Sequence, residues 1–244
     1  MFILYYNNIN YTINTFKYNL YPKTFLPLEL SNNDKKILIC NSKSRNKRYK
    51  NKDPFIVTSG ELLLTKNNKF IIDTYNFRMV LLPTLTTLKE NIDIIKLNKY
   101  IIDINLEFNN WIVNNNNSPD WSGITLFFNY IDSNNTNTFS IRKDGLVVIK
   151  QKYKKKYKTL YKKKISNLFI KSNIFDICLS IDTSSITQKH ILKSKIIILN
   201  SKSKEMENEY FFEYSPENPF NLSNGSVGLR LDYVHMNLNY FKIS

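Results

Sequence analysis

The stretch "DWSGITLFFNYIDSNNTNTFSIRKDGLVVIK", Asp120–Lys150, decides the fold. In it Ile124, Leu126, Phe128 and Tyr130 recur at every second position, so an extended chain sets them on one face. After the polar "IDSNN", Phe139 and Ile141 point one way while Ser140 and Arg142 point the other. Asp144-Gly145 is a turn signal, and a third apolar run starts at Leu146. Apolar alternation broken by Asn, Asp and Gly marks half-buried antiparallel strands.

The same texture extends in both directions. From Pro54 onward, short runs of Ile, Val, Phe, Tyr and Leu are separated by polar turn residues. Strands are predicted at roughly 55–58, 61–65, 69–73, 77–82, 99–108, 123–130, 137–142, 145–153, 157–165, 174–182, 189–199, 226–232 and 234–243. In "GSVGLRLDY", Val227, Leu229 and Leu231 oppose Gly228, Arg230 and Asp232. Helical turns are expected only at 86–100 and at 203–213, "SKEMENEYFFE". Many short strands with almost no helix predict an all-β, antiparallel two-sheet sandwich over residues 54–244. Residues 1–53 are irregular and end in the basic "NSKSRNKRYKNKD", which reads as an N-terminal extension and linker.

Composition limits what charge can say. The 244 residues are 42% hydrophobic and 14% aromatic, enough for a sizeable core. There is no alanine, and Asn, Lys, Ile, Tyr and Phe, whose codons are AT-rich, dominate. A biased genome alone would raise the lysine count. The net charge of +15 is therefore weak evidence for an acidic partner. Nine of the lysines lie in "KQKYKKKYKTLYKKK", Lys150–Lys164. A three-residue turn at Lys154–Lys156 would set Tyr153 against Tyr157, Gln151 against Thr159 and Ile149 against Tyr161, with Lys150, Lys152 and Lys158 on the wet side. Edge lysines also discourage sheet-to-sheet aggregation. That hairpin is favoured over a single-stranded nucleic-acid platform, which would need exposed tyrosines for stacking, and over a basic strip attracted to acidic lipid or polysaccharide.

Other chemistry is sparse. Cys40 and Cys178 are too few for a disulfide framework or a four-cysteine zinc site. Each reads as a small buried hydrophobe, with a single bridge the alternative in an exported chain. "MFILYY" meets Asn7-Asn8 before forming a leader-length apolar core, so no signal peptide is read and the compartment stays open. No apolar run reaches transmembrane length. His190 and His235 lack any neighbouring nucleophile or ligand grouping in the sequence.

The order "FIVTSGELLLT", "KYIIDINLEF", "DWSGITLFFNYIDSNNTNTFSIRKDGLVVIK", "FDICLSID" and "NGSVGLRLDYVHMNLNYFKIS" resembles the concanavalin A-like lectin/glucanase superfamily. Its laminin-G-like and hydrolase-associated jelly-roll domains are the nearest in character. The resemblance covers residues 54–244. It implies a jelly roll of two packed sheets, with ligands on a concave face or at a loop edge. Hydrolases of that superfamily carry E-x-D-x-x-E, which this chain lacks, so no catalytic residue is assigned. Asp103 and Glu107 share a strand face, but four residues of extended chain separate their Cα atoms by about 13 Å. Paired glycosidase carboxyls stand about 5–9.5 Å apart.

A glycan or protein surface is the expected partner, bound without covalent chemistry. The alternatives are a structural subunit of a larger assembly and a degenerate glycoside hydrolase relative. Candidate ligand residues are Trp121, Tyr130, Asp132, Asn135, Arg142, Arg230 and Asp232. Trp121 would supply a ring, and the Arg/Asp set polar groups on strand faces. Edge packing and surface ion pairs are the ordinary alternatives. No cofactor is expected, with calcium the alternative at Asp132, Asn134 and Asn135, whose oxygens suit it. Those residue types also make turns for purely local reasons.

Overall fold

The computed structural model describes residues 18–20, 36–41, 55–59, 61–65, 70–73, 78–83, 99–112, 118–165, 169, 173–183, 190–200, 202–215 and 226–243. Strands before residue 99 enter through their backbone pairing. They are β1 (Tyr18–Leu20), β2 (Lys36–Asn41), β3 (Phe55–Ser59), β4 (Glu61–Thr65), β5 (Phe70–Asp73) and β6 (Arg78–Pro83). There follow β7 (Lys99–Trp111), β8 (Gly123–Asp132), β9 (Asn135–Arg142), β10 (Leu146–Tyr153) and β11 (Lys156–Lys164). The chain continues through β12 (Asn173–Asp182), β13 (Ile191–Asn200), β14 (Met206–Tyr214), β15 (Ser226–Asp232) and β16 (Val234–Ile243). Among the described residues there is no helix.

The strands form two antiparallel sheets. One is ordered β14-β13-β12-β7-β16-β5-β4-β2, with β1 on β16, and the other β11-β10-β9-β8-β15-β6-β3. This is a jelly-roll sandwich. Both sheets interleave strands distant in sequence, as where the C-terminal β16 lies against β7 and β15 against β8. The inner faces meet in one core. Tyr100, Ile102, Ile104, Leu106 and Phe108 of β7 pack with Phe175, Ile177, Leu179 and Ile181 of β12, opposite Ile124, Leu126 and Phe128 of β8. Burying a side chain of this size contributes roughly 1.5–3 kcal/mol relative to leaving it in water. Alternation thus becomes the principal favourable term of the fold.

Three expectations are corrected. The stretch 203–213 is not helical: Met206–Tyr214 forms edge strand β14, pairing Lys193 with Glu213 and Lys195 with Phe211. Its Glu and Met residues favour helix, but Tyr210, Phe212 and Tyr214 alternate with Glu209, Phe211 and Glu213. Phe212 is buried while Phe211 is 64% exposed, so pattern outweighs the weak propensity term. The 86–98 part of the other expected helical segment lies outside the described residues, and Lys99 already begins β7.

The lysine hairpin turns on two residues rather than three. Tyr153 pairs with Lys156, Gln151 with Lys158 and Lys150 with Thr159, and a bulge then restores Ile149 opposite Tyr161. Lys154 and Lys155 have φ of 48° and 70°, the left-handed pair whose twist matches the flanking strands. Such a turn was hidden because the sequence offers lysine where Asn or Gly is usual. Tyr161 packs on Tyr214, but Tyr157 is 62% exposed and lies under Lys152. The third correction concerns Tyr130. Asn129 has φ of 51°, and a register shift in β8 follows Phe128. Alternation breaks there, and Tyr130 packs on Phe127 rather than sharing the core face of Phe128.

Candidate ligand-binding face

The seven expected ligand residues fall into two groups at opposite ends of β8. From Gly123 to Asp132 the strand spans on the order of 25–30 Å, too far for one small ligand. At the far end, the exposed Asp132 carboxylate takes part in a loop clasp. Its Oδ1 accepts the Asn134 backbone N–H at 2.6 Å, and Asn135 Nδ2 donates to both carboxylate oxygens at 3.0 and 3.1 Å. The Asn134 N–H, then the Asn135 amide, hold the Asp132 carboxyl below its ordinary pKa.

The same loop grips the lysine hairpin. Lys154 N–H donates to Asn135 Oδ1 at 3.0 Å, Lys155 N–H to the Asn134 carbonyl at 3.2 Å, and Lys152 Nζ to the Ser133 carbonyl at 2.7 Å. The Asp132 and Asn135 side-chain oxygens expected for calcium thus accept hydrogen bonds within these two loops. Among the described residues, no group of three or more His, Cys, Asp or Glu is placed to hold a metal ion.

The near end is different. On the outer face of the seven-stranded sheet, register aligns Asp232 with Gly123 and Gly123 with Arg142. The next outward row runs Arg230, Thr125, Ser140 and Val148, and the one after it Gly228, Phe127, Thr138 and Lys150. Arg230 Nε donates to Asp232 Oδ2 at 2.7 Å and its guanidinium lies 5.6 Å from the Phe127 ring centroid. Arg142 donates to Asp144 Oδ2 at 2.6 Å. Between the two arginines, Thr125 and Ser140 share a hydroxyl hydrogen bond of 3.0 Å. Phe127, Thr138 and Val148 are buried although none belongs to the inner core. Lys150 completes the group; burial, then the neighbouring Arg142 and Arg230 charges, push its pKa down.

Trp121 belongs to this end, two residues before Gly123. It is 43% exposed and meets Tyr233, the residue after Asp232, edge-to-face at 5.5 Å. Trp111 takes the ordinary packing role, against Phe108 and Phe169. Sequence reasoning missed Thr125, Phe127, Ser140 and Lys150. Their signal was present in the period of two, which places them outward alongside Arg142 and Arg230.

The outer face of the nine-stranded sheet holds the Asp103/Glu107 row. Glu107 accepts from Asn237 at 3.2 Å, and Asn237 and Asn109 bond to each other. Asn239 donates to Asn105 at 2.7 Å, and the Tyr240 hydroxyl donates to Asp176 at 2.7 Å. Cys178 is a free thiol. Burial first, then its hydrogen bond to Asp103, pushes its pKa up to about 12, so it stays protonated. These carboxylates anchor a polar ladder across three strands.

No family model matches this sequence, and no curated protein matches it. Solved structures do. The winged bean acidic lectin, complexed with methyl-α-D-galactose, superposes with a TM-score of 0.51 at 8% identity, covering 79% of this chain and 92% of the lectin. The carbohydrate-binding module CBM66 from Bacillus subtilis gives 0.47 at 11% identity, covering 80% of this chain and 98% of the module. The CBM2 module of the evolved Dit protein from Lactobacillus casei BL23 phage J-1 gives 0.44 at 6% identity, covering 93% of each chain. The lectin match shows the fold at this identity. Among the described residues, no helix is long and apolar enough to cross a membrane.

Proposed function

We propose that this chain is a non-catalytic jelly-roll module that binds a glycan on the outer face of its seven-stranded sheet. The observation that carries the reading is that Arg142, Arg230 and Asp232 share one end of that face around the Thr125–Ser140 hydroxyl pair, with the part-exposed Trp121 ring against Tyr233 at the same end of β8. Sugar recognition needs an apolar ring and a few convergent, oriented polar groups. The carboxylates of Asp144 and Asp232 orient the two guanidinium groups; Arg142 Nε is buried, so the donors offered to ligand oxygens are the terminal guanidinium nitrogens outside these ion pairs. An oriented donor has little rotamer entropy left to lose on binding.

A glycan array probed with the full chain tests this. Specific binding that is lost in Trp121→Ala, with the melting temperature unchanged, supports the reading. Absence of binding across the array, with a protein partner co-purifying stoichiometrically, would replace it with the structural-subunit alternative. Polysaccharide hydrolysis that fails in Glu107→Ala would replace it with a hydrolase.

A further inference from the structure

The two outer faces of the sandwich treat lysine differently. On the nine-stranded sheet lysines are neutralised: Lys99 meets Asp182 at 3.6 Å, Lys193 meets Glu213 at 3.3 Å and Lys195 meets Glu209 at 2.6 Å. On the seven-stranded sheet, Lys150, Lys152, Lys162 and Lys164 share the outward face with Arg142 and Arg230. Register sets Lys162 beside Val148 and Lys164 beside Leu146. Asp144 and Asp232 answer the two arginines and the Asp132 carboxylate answers Lys152, while among the described residues no ion pair joins Lys150, Lys162 or Lys164 to a carboxylate. Six cations thus meet three carboxylates, a surplus of three positive charges centred on Lys150, Lys162 and Lys164.

We infer that the glycan taken by this face is anionic, carrying carboxylate or sulfate groups that seat among Lys150, Lys162, Arg142 and Arg230. The inference rests on the glycan-binding reading above and adds the charge of the ligand. Charge complementarity is its basis: grouped like charges repel one another in the free protein, and an anion relieves that repulsion. The depressed pKa of Lys150, caused in part by Arg142 and Arg230, reports the same crowding. A nucleic acid would present anions too, but its bases need open ring faces. Phe127 is buried beneath Arg230, and Tyr157 stands exposed at the hairpin, away from the arginine rows. The hydroxyls of Thr125 and Ser140 instead suit a polyhydroxylated chain.

The test uses the full chain and matched probes: polygalacturonate against its methyl ester, and dextran sulfate against dextran. Poly(dT) and phosphatidylserine vesicles are run alongside. Binding is measured at about 50 and about 500 mM salt, between which the screening length falls from roughly 14 Å to roughly 4 Å. The charged member of at least one pair should bind about tenfold or more tightly than its neutral twin, with the difference shrinking at high salt. Lys150→Gln with Lys162→Gln, which breaks no ion pair in the structure, should weaken that binding about tenfold without lowering the melting temperature. Equal affinity for charged and neutral twins would overturn the anionic assignment and leave glycan binding standing. Tighter binding to poly(dT) or vesicles than to any glycan, lost in the same variant, would overturn it in favour of another polyanion. Failure to bind any glycan, neutral or charged, would remove the glycan reading itself.

Discussion

The Tyr100 hydroxyl of β7 reaches across the sandwich to Asn129 of β8, donating to Asn129 Oδ1 at 3.0 Å and accepting the Asn129 backbone N–H at 3.2 Å. One phenol thereby links the two sheets where β8 breaks register and Asn129 takes a φ of 51°. Both residues are buried, and burial raises the Tyr100 pKa far above its ordinary value, so the hydroxyl stays a donor. Tyr100→Phe removes both interactions while keeping the ring. It should cost about 1–3 kcal/mol, the penalty for leaving buried polar groups short of a partner. Urea denaturation measures this; an unchanged midpoint would show that the clamp contributes nothing.

Gly123 begins the β8 strand at φ 138°, a backbone conformation that suits glycine. A Cβ built there would lie 2.3 Å from the Ile141 carbonyl oxygen and 3.2 Å from the Phe169 ring. The clash is with backbone, so it cannot be relieved by a rotamer change. Gly123→Ala should therefore destabilise the fold by roughly 1–3 kcal/mol, lowering the melting temperature by about 2–4 °C per kcal/mol for a domain of this size. Because Gly123 pairs with both Arg142 and Asp232, ligand binding should weaken as well. A variant as stable as the parent would refute the steric argument.

Legibility followed the period of two. Ile124, Leu126 and Phe128 were placed together from spacing alone, and the core holds them together. The same spacing put Arg142, Arg230 and Asp232 outward, and the sheet pairs them across β8. Two of the failures share a cause, a local backbone conformation that residue identity did not announce, whereas at 203–213 helix propensity masked an alternating strand. Lys154 and Lys155 occupy left-handed positions without being Asn or Gly, and Asn129 breaks alternation without a Pro or Gly beside it. Long-range pairing was also out of reach. Nothing in the chain announces that Asn135 will hold the Lys154 backbone, or that Trp121 will end beside Tyr233.

The clasp at Asp132 makes its own forecast. Asn135 uses its amide nitrogen on Asp132 and its amide oxygen on the Lys154 N–H, joining the β8–β9 turn to the hairpin tip. Asn135→Ala removes all three side-chain bonds of this residue. Amide exchange at Lys154 should then accelerate about five- to tenfold, equivalent to one hydrogen bond of about 1 kcal/mol. Exchange at Val147 and Ile149, in the sheet interior, should not change. Added calcium should leave the parent's exchange at Lys154 unaltered, because the oxygens are already engaged; protection that rises with calcium would reinstate the metal.

Burial of His190 should make stability pH-dependent in the neutral range. The residue is buried just before β13, and burial pushes its pKa below 6.5 against the opposing pull of the Asp182 carboxylate. The unfolded imidazole binds its proton at about pH 6.5, while the folded one resists until the pH is lower. Below that value the unfolded state holds more protons, so stability falls as the pH drops and recovers as it rises. Asp132 acts in a separate, more acid window: its lowered pKa gives stability above the carboxylate range that is lost as the pH falls through it. Urea midpoints should therefore decline from pH 7.5 to pH 5.5 in the parent, and His190→Gln, which cannot titrate, should flatten that decline. Equal slopes in the two proteins would move the neutral-range response to another group and leave His190 as packing alone.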